Sequence, residues 1–586
     1  MNRTLRLVFL SEIPEDAELH RQWNELVLAG DRPQVFYTYE WALAVYRAYR
    51  ETLNPLLFLG YEGERLCAIA VLAVDSAGNV SFLCANTADY CDFIASPEHK
   101  LEFISHVLGD LRRRGQRRVT LTNLPADSAT VSALPQASRE NGYHLFARTA
   151  YECAQTSLNE LRAKSAGGSL DLPRKRIVRR SMKALGKEAP VRLEHIETAG
   201  EIEPVLRPFI ESHVARFLAT GRISNLARPE RQIFLAELAK LLSKSGWLKL
   251  SLLVSGEKVY AWNYGFNFEG TWFWYQPTID SDYEKFSPGY CLLYEIVQEA
   301  AKTPGVNVVD LGLGAEGYKE YFANTARKTL YVTLRASIAT HVREILRYAA
   351  ASAVHASPKV ERAVRQSTDR WQRLRRDGFS ACCSRISGRL RAFVSSNNEV
   401  LFFDGSQARP SNADGELHAL DLKSLATALI QNVDDAPTCA YLLRCAARVR
   451  EDGIRGFALL DRNGAFLHFG WVTRFEGFHL AELNAKVEAP APECVMLFDC
   501  WTPTRMRGHG YYGQTIGLMA KLMREQGKEP WIFSAATNGA SISGLKKAGF
   551  QRRYSLVRRR LFGFQWIRGN TPKQTESATA EVSAYV

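Results

Sequence analysis

The 586-residue sequence contains no long apolar segment, and no stretch approaches the roughly 18 consecutive apolar residues that a membrane-spanning helix needs. Near the amino terminus the apolar residues run only from Leu7 to Leu10 before acidic residues follow, which predicts that this segment is not a secretory signal. The eleven cysteines form no Cys-x-x-Cys pair and no Cys/His cluster with zinc spacing, and the adjacent Cys382 and Cys383 cannot form an ordinary disulfide bridge. These absences predict a cytoplasmic protein with reduced, mostly buried thiols and no bound metal.

Acidic residues are in deficit. The chain has 75 Lys and Arg against 62 Asp and Glu, which gives a net charge of +13 and a pI near 9.2. A basic surface favours an anionic partner such as a phosphate-rich cofactor, nucleic acid or an anionic membrane, and a charge that serves only solubility is the equally weighted alternative. The length exceeds what one hydrophobic core supports, so roughly three or four domains are expected.

One order of secondary structure occurs three times along the chain. The first copy is predicted to have strands at 56–61, 67–74 and 80–84, a helix at 98–114 and a strand at 118–124. The second has strands at 247–254, 259–268 and 271–276, a helix at 290–302, a strand at 306–311, a short helix at 316–323 and a strand at 329–334. The third has strands at 456–460, 466–472, 479–483 and 494–501, a helix at 511–525, a strand at 531–535, a helix at 539–547 and a strand at 554–562. Each copy is an antiparallel meander followed by a helix and then by a strand that can lie parallel to the last strand of the meander. This order predicts a mixed α/β fold.

This order divides the chain into five parts. They are a first α/β lobe (1–165), a second lobe (166–336), a connector (337–399), a C-terminal domain (400–568) and a tail (569–586). The connector is basic, with twelve Lys or Arg against four acids between His341 and Arg391, and its pattern predicts helix without strands. The tail is polar and is predicted to be disordered.

The sharpest local signal is a glycine-containing loop between a predicted strand and helix of the third copy. Gly508 and Gly510 allow a tight turn and leave no side chain above the backbone amides, so several N–H groups can converge on one anion at the helix N-terminus. Arg505 and Arg507, with His509 between the glycines, add basic groups to the same place. The loop therefore predicts a pyrophosphate-binding site.

Arg505-x-x-Gly508-x-Gly510 resembles the acyl-CoA pyrophosphate motif of the GNAT N-acetyltransferase superfamily. The segments Asn538-Gly-Ala-Ser541 and Ala548-Gly549-Phe550 are similar to the family's Asn-x-x-Ser and Gly-Phe elements beside the pantetheine arm. The resemblance covers residues from about 400 to 566, and it implies that acetyl-CoA or another acyl-CoA is the co-substrate. Many members place a tyrosine four residues before that glycine as the acid for the leaving thiolate, whereas this chain has Leu545.

Two segments also match the dinucleotide-binding fingerprint Gly-x-Gly-x-x-Gly. They begin at Gly312 and at Gly508. That fingerprint also needs an acidic residue at the end of the next strand to hold the ribose, and neither following strand ends in one. Both matches are interpreted as coincidental.

The second copy contains another group of candidate residues. Ser287-Pro288-Gly289 opens a predicted helix, where Ser287 can cap free N–H groups, and Asp310-Leu-Gly-Leu-Gly-Ala-Glu-Gly-Tyr318-Lys319 follows the next strand. With Phe36-Tyr-Thr-Tyr-Glu-Trp41 and Ala88-Asp-Tyr-Cys-Asp-Phe93, these segments resemble the acetyltransferase family associated with bacterial cellulose and exopolysaccharide synthesis (the CelD/BcsL-like group), which is related to the two-lobed FemABX aminoacyltransferases. This resemblance covers residues from about 30 to 335. It implies three GNAT-like units, the first two paired as a double lobe, and a role in cell-surface polysaccharide synthesis.

Three residues of this group are the catalytic candidates. Lys319 beside Tyr318 could stabilise a developing oxyanion or the leaving thiolate, and the equally weighted alternative is a packing tyrosine beside a solvated lysine. Asp310 could be a base, although a capping or turn-stabilising role is favoured. We expect an acyltransferase that moves an acyl group, most simply acetyl, from acyl-CoA to an amine or to a sugar hydroxyl. One alternative is an aminoacyl-tRNA-dependent transferase. The other is that the first two lobes have lost catalytic activity and serve as a binding platform for the third domain.

Two basic segments bear on the partners. The run Arg174 to Lys183 is interpreted first as a structural helix, because a similar basic helix joins the lobes in the group that the first two copies resemble. Binding of tRNA is the alternative, although no RNA-binding signature accompanies the run. Arginines flank Trp371 in the connector, and Arg558-Arg-Arg560 precede Leu561-Phe-Gly-Phe564. This pattern suits peripheral attachment to an anionic inner membrane, and the favoured alternative is that the aromatic residues pack into the third domain.

Overall fold

The computed structural model describes residues 5–164, 170, 172–314, 317–355, 395–410, 416–561 and 564–569. The chain divides into two compact units, Met1–Arg216 with Asn225–Ser357 and Pro358–Val586 with Phe217–Ser224. Strands and helices alternate in both, so the predicted mixed α/β class is confirmed. No helix in the described ranges has both the length and the apolar character needed to cross a membrane.

The first unit holds thirteen strands in one sheet. The strands are β1 (Arg6–Leu10), β2 (Asn54–Glu62), β3 (Arg65–Val74), β4 (Asn79–Phe82), β5 (Ile94–Ala95), β6 (Arg118–Pro125), β7 (His144–Ser157), β8 (Arg192–Ile196), β9 (Leu248–Ser255), β10 (Lys258–Phe268), β11 (Thr271–Ile279), β12 (Val308–Asp310) and β13 (Thr325–Arg335). The helices are α1 (Ala17–Leu28), α2 (Tyr39–Tyr49), α3 (Lys100–Arg113), α4 (Ala129–Glu140), α5 (Leu158–Lys164), α6 (Lys175–Leu185), α7 (Ala199–Ala219), α8 (Pro229–Lys244), α9 (Pro288–Lys302) and α10 (Ile338–His355). Short 3-10 turns lie at Val35–Tyr37, Asn225–Ala227, Ser281–Phe286 and Lys319–Tyr321.

Local sequence explains why these elements form where they do. Between β10 and β11, Glu269 and Gly270 both have positive φ (44° and 72°), the conformation of a tight hairpin whose twist matches the strands. Helix α3 carries apolar residues at helical spacing, and five of them are buried: Phe103, Ile104, Val107, Leu108 and Leu111. Both features were predicted from the pattern of the sequence.

The two lobes repeat one order of elements and share one sheet. Strands β4 and β6 pair in parallel in the first lobe, as β11 and β12 do in the second, which confirms the predicted helix crossover in each. The sheet order is β1-β2-β3-β4-β6-β13-β7-β12-β11-β10-β9-β8, with β5 beside β3. Strand β13 ends the second lobe in sequence but lies between β6 and β7 of the first lobe, antiparallel to both. The lobes are therefore joined through backbone hydrogen bonds.

The second unit contains an eight-stranded sheet and a separate two-stranded one. Its strands are β14 (Ser395–Asp404), β15 (Glu416–Ala419), β16 (Arg455–Leu460), β17 (Phe466–Arg474), β18 (Phe478–Leu480), β19 (Ala485–Val487), β20 (Cys494–Trp501), β21 (Glu529–Ala535), β22 (Gln551–Leu561) and β23 (Phe564–Arg568). Its helices are α11 (Leu422–Gln431), α12 (Ala436–Arg448), α13 (Tyr511–Glu525) and α14 (Gly539–Lys547), with a 3-10 turn at Thr504–Met506. The large sheet runs β15-β16-β17-β20-β21-β14-β22-β23, with β20 and β21 parallel.

Several sequence expectations need correction. The strand predicted at 479–483 is instead β18, which pairs only with β19 outside the large sheet. The segment predicted to lack strands reaches into β14, which begins at Ser395 and lies between β21 and β22. The rest of the connector from 356 to 394 and the tail from 570 lie outside the described residues. The nine cysteines in the described ranges are free thiols and eight are buried, as predicted.

Candidate functional site

The C-terminal unit opens a cleft where two parallel strands separate. β20 and β21 pair from Cys494 opposite Glu529 to Leu497 opposite Ile532, and no later pair joins them. Beyond Leu497, β20 bulges against β17, because Phe469 pairs with Trp501 while Trp471 already pairs with Phe498. A bulge bends a strand and re-aims its side chains, so the two strand ends diverge.

Contacts from α12 hold this bulge in place. Asp499, which lies in the bulge, has a positive φ of 45°, a conformation that costs energy for a non-glycine residue. The Tyr441 hydroxyl donates to its carbonyl oxygen at 3.0 Å, and Arg448 forms an ion pair with its carboxylate. The cleft beside the bulge has a volume of about 850 Å³ and is lined by Arg507, Asn538 and Ser541, three of the predicted cofactor residues.

The glycine loop leaves open space at the start of α13. Gly508 and Gly510 have φ of 85° and 82°, and a Cβ atom built on either would meet no atom of the described residues within 4 Å apart from its chain neighbours. No backbone hydrogen bond outside helices and strands uses the amides of residues 508 to 510 within the described chain. The loop thus offers free N–H donors at a helix N-terminus without overlying side chains, which fits a pyrophosphate group.

The basic residues of this loop are held differently from one another. Arg505 donates to the carbonyl oxygen of Gln431 at 2.7 Å, which directs part of its guanidinium to α11. Arg507 donates to the carbonyl oxygen of Thr502 at 3.2 Å, and its guanidinium lies 5.3 Å from the Trp501 ring centre. Only Arg507 of the two lines the cleft, so it is the stronger candidate for an anion contact.

The remaining predicted cofactor residues have identifiable local roles. The ring of His509 stacks on Tyr511 at a centroid distance of 5.6 Å. Asn538 caps α14, since its Oδ1 accepts the Ser541 amide at 3.1 Å. The Ser541 hydroxyl lies 2.9 Å from the Tyr512 hydroxyl. Asn538 therefore shapes the helix start, and Ser541 positions a phenol in the cleft.

Two cleft residues were not found from the sequence. Leu545, at the position where the resemblance expects a tyrosine, is fully buried in the core. The phenol of Tyr512 comes from α13 instead and lies against Gly544, where an added Cβ would be 2.6 Å from its Cδ1. Burial raises the pKa of Tyr512, so its hydroxyl stays protonated at neutral pH. The signal available in the sequence was the pair Tyr511-Tyr512 that follows the glycine loop.

His468 is the second residue. It lies within an apolar strand, its Nδ1 is 2.8 Å from the Thr502 hydroxyl, and burial lowers its pKa to about 3. Its buried Nε2 has no hydrogen-bond partner among the described residues, while the residue lines the cleft with its ring centre 5.7 Å from that of Tyr512. His468 therefore places a neutral imidazole in the wall of the cleft.

The second lobe opens a smaller cleft at the equivalent place. β11 and β12 pair only from Thr271 to Phe273, although β11 continues to Ile279. A cavity of about 370 Å³ lies between the end of β11, the start of α9 and α6. Tyr318 lines it, and its hydroxyl accepts the indole N–H of Trp274 at 3.0 Å. Pro288 opens α9 as predicted, but Ser287 makes no side-chain cap to the helix amides, so that expectation was wrong.

Asp310 and Lys319 lie in the interior behind this cavity. Asp310 is buried, and its carboxylate accepts from the Tyr90 hydroxyl at 2.8 Å, from Gln155 at 2.7 Å and from the Gly312 amide at 2.8 Å. Lys319 is also buried, and its Nζ donates to the Leu313 carbonyl at 2.8 Å, so the interpretation as a solvated lysine was wrong. These bonds favour a positioning role for both residues and leave Tyr318 as the candidate that reaches the cavity.

Asp89 of the first lobe faces the same loop. A Cβ atom on Gly312 would lie 2.7 Å from its Oδ2. Burial, followed by the nearby charge of Asp310, raises the pKa of Asp89 to about 7, and burial raises the pKa of Asp310 as well. The pair therefore retains a proton near neutral pH.

This retained proton predicts a pH-dependent stability. Because the folded pKa of Asp89 lies above its unfolded value of about 4, the folded state binds more protons between these two values, and stability falls as pH rises from about 4 to 7. We expect Asp89→Asn to match the wild type near pH 4 and to be more stable by roughly 4 kcal/mol at pH 8, because the pKa of Asp89 is raised by about three units and each unit corresponds to about 1.4 kcal/mol. Urea unfolding from pH 4 to 8 measures the difference, and a difference that does not change with pH would contradict the shared proton.

A known protein family matches most of the second lobe in sequence. Residues 173–320 match the family described as Acetyltransferase (GNAT) domain, a range that includes Asp310, Tyr318 and Lys319. No curated protein matches the sequence significantly.

Solved structures with similar folds include three that span slightly more than half of this chain. A tandem GNAT protein from the clavulanic acid biosynthesis pathway is 14% identical, covering 57% of this chain and 99% of its own, with a TM-score of 0.35. FemX is 9% identical, covering 56% and 98%, with a TM-score of 0.38. L-PGS from Bacillus licheniformis is 13% identical, covering 52% and 95%, with a TM-score of 0.34. Residues 173–320, which contain the cavity between β11, α9 and α6, therefore match the GNAT acetyltransferase domain family.

Proposed function

We propose that the protein transfers an acyl group, most simply acetyl, from acyl-CoA to an amine or hydroxyl acceptor, and that the C-terminal cleft binds the acyl-CoA. The observation that carries this proposal is the combination of diverging strands with the open glycine loop at the start of α13. The loop amides and Arg507 would hold the pyrophosphate, and the unpaired edges of β20 and β21 would receive the pantetheine arm and the thioester.

The cleft residues suggest how the transfer proceeds. Free backbone N–H groups where β20 leaves β21 would polarise the thioester carbonyl while the acceptor nitrogen or oxygen attacks its carbon. As the carbon–sulfur bond breaks, the Tyr512 hydroxyl would give its proton to the leaving sulfur, and Ser541 would hold the phenol in place. Tyr512 thus takes the role for which the resemblance expects a tyrosine at position 545.

The acceptor must lose a proton during the attack. His479 and Glu482 are exposed titratable residues among those that line the cleft, so either could receive this proton. A sugar hydroxyl needs a better-placed base than an amine does. We propose a cell-surface polysaccharide or its precursor as the acceptor, in keeping with the resemblance of the first two lobes to exopolysaccharide-associated acetyltransferases.

One observation favours a second candidate function. Helix α6 buries Val178 and Leu185, while the basic residues at 174, 176, 179, 180 and 183 are exposed. Arg174 and Ile177 also line the cavity of the second lobe. A basic helix beside a GNAT cleft suits a polyanionic donor such as charged tRNA, which would make that lobe an aminoacyltransferase. The third candidate is that the paired lobes only bind a ligand for the C-terminal unit.

Donor assays with the full chain separate these functions. We expect acetyl-CoA to release free thiol in proportion to acetylated acceptor, with glucosamine and a neutral hexose as the amine and hydroxyl acceptors. Transfer of an amino acid from charged tRNA, with no thiol release from acetyl-CoA, would overturn the proposal in favour of the second function.

Membrane contact of the C-terminal unit is also proposed. At the β22–β23 hairpin, Phe564 is 79% exposed and Trp566 is 40% exposed, so Phe564 does not pack into the domain as the favoured alternative expected, while Phe562 lies outside the described residues. Arg558-Arg-Arg560 precede them, and the arginines around Trp371 lie outside the described residues. Each basic residue close to an anionic bilayer adds about 1 kcal/mol, and inserted aromatic rings add to this.

Vesicle flotation at low salt tests this contact. We expect Phe564→Ser/Trp566→Ser to reduce binding to vesicles containing phosphatidylglycerol by at least about tenfold, because two apolar side chains no longer insert. Ile233→Ser, which removes a 48% exposed side chain from α8, is the control and should bind like the wild type. Equal binding of all three proteins would exclude the hairpin as the contact.

A further inference from the structure

The first unit contains a second basic cavity that the proposed acyl transfer does not use. It lies between α10 and strands β6, β7 and β13, and has a volume of about 480 Å³. Its charged lining consists of five arginines and one acid: Arg118, Arg148, Arg335, Arg343, Arg347 and Glu344. The lining therefore carries a net charge of +4.

The single acid in the lining is already paired. Glu344 binds Arg335 through both oxygens, with 2.8 Å between its Oε2 and Arg335 Nε and 3.1 Å between its Oε1 and an Arg335 terminal nitrogen. Arg335 is buried and also donates to the Val119 carbonyl at 2.7 Å. This pair satisfies its own charges and leaves the other four arginines without a counterion in the lining.

The four remaining guanidinium groups keep donors available. Arg148 lies between two aromatic rings, 4.5 Å from the ring centre of Tyr331 and 5.2 Å from that of Tyr348, which fixes its plane. Arg343 and Arg347 are exposed, and neither forms an ion pair with any residue in the described ranges. Four cations around one cavity repel one another unless an anion joins them.

Helix α10 turns polar residues toward the cavity and leaves apolar residues exposed, which is the reverse of a usual surface helix. The positions that line the cavity, which are 340, 343, 344, 347 and 348, share one face of the helix. Ile338 and Leu346 belong to the opposite face and are 64% and 63% exposed. A surface helix normally buries its apolar face, so the arginines that α10 turns toward this cavity indicate a binding role rather than one in solubility.

We propose that this cavity binds a phosphate ester or pyrophosphate with at least two negative charges. A guanidinium group matches the geometry of a phosphate group and can donate two parallel hydrogen bonds to it. The cavity volume is larger than one phosphate group needs. The phosphate can belong to a soluble nucleotide or to a lipid headgroup, since both present the same chemistry. This site is independent of the C-terminal cleft.

Calorimetry with the full chain tests the site. The variant is Arg343→Gln/Arg347→Gln, and its matched control is Arg113→Gln/Arg139→Gln, which removes two exposed arginines from the same unit away from the cavity. Pyrophosphate and ADP are the soluble probes. We expect the wild type and the control to bind one more equivalent than the variant, or the variant to bind at least about tenfold more weakly at this site.

A second arm identifies the source of the phosphate. The same proteins are floated with phosphatidylglycerol vesicles at low salt. Loss of ADP binding in the variant supports a soluble ligand, and loss of vesicle binding alone supports a lipid headgroup. If the variant equals the control with pyrophosphate, ADP and vesicles, the proposed site is wrong.

Discussion

Replacing Gly510 with valine should lower the affinity of the protein for acetyl-CoA by at least about a hundredfold. Gly510 precedes α13 with a φ of 82°, and the space above it is open. A valine there would place methyl groups where the pyrophosphate must approach the amides, and it would also strain the loop. Losing several hydrogen bonds to a charged group accounts for an effect of this size.

A matched variant separates the loss of the anion site from backbone strain. Gly527 follows the other end of α13, has a φ of 71° and also has open space around it. We expect Gly527→Val to bind acetyl-CoA like the wild type in isothermal titration calorimetry, although its strain is similar. If Gly510→Val keeps its acetyl-CoA affinity while its circular dichroism is unchanged, the loop is not the pyrophosphate site.

The Tyr512→Phe variant should lose about a hundredfold in kcat with little change in KM for acetyl-CoA. The phenyl ring still packs on Gly544, so only the hydroxyl bonded to Ser541 is removed. An acid that protonates the leaving sulfur contributes roughly 10²–10⁴-fold to the rate, while ground-state binding does not depend on it.

Tyr511→Phe is the control for this prediction. Tyr511 is the neighbouring tyrosine and stacks on His509, and it does not line the cleft. Thiol release from acetyl-CoA over a range of pH measures both parameters. A Tyr512→Phe enzyme with the wild-type kcat and pH profile would show that the acid is another group.

Elements with strong local signals could be predicted from the sequence. The bounds of α13 and α14 agree with the prediction to the residue, because a glycine loop opens the first and Asn538 caps the second. The long strand β7 was not predicted, because most of its residues are exposed or half-buried and it shows little apolar pattern. No local feature of the sequence indicates that β13 pairs with it. Strand partners that are distant in the sequence depend on tertiary contacts that periodicity does not record.

The same distinction applies to the candidate sites. The glycine loop was predicted because its conformation depends on residues next to one another. Tyr512 was missed because its role depends on the packing of α13 against α14, and the burial of Lys319 was not predicted because it depends on residues from both lobes. Charge alone also does not reveal that Arg505 donates to the backbone carbonyl of Gln431, a residue that does not line the cleft.

Hydrogen–deuterium exchange on the full chain, with and without acetyl-CoA, tests most directly whether the C-terminal cleft binds the donor. Bound acetyl-CoA should slow exchange of the amides at 505–514 and 533–541, which form the glycine loop, the start of α13 and the end of β21 with α14. Unchanged exchange there, with protection confined to 281–292 at the start of α9, would assign the donor to the second lobe and contradict the account.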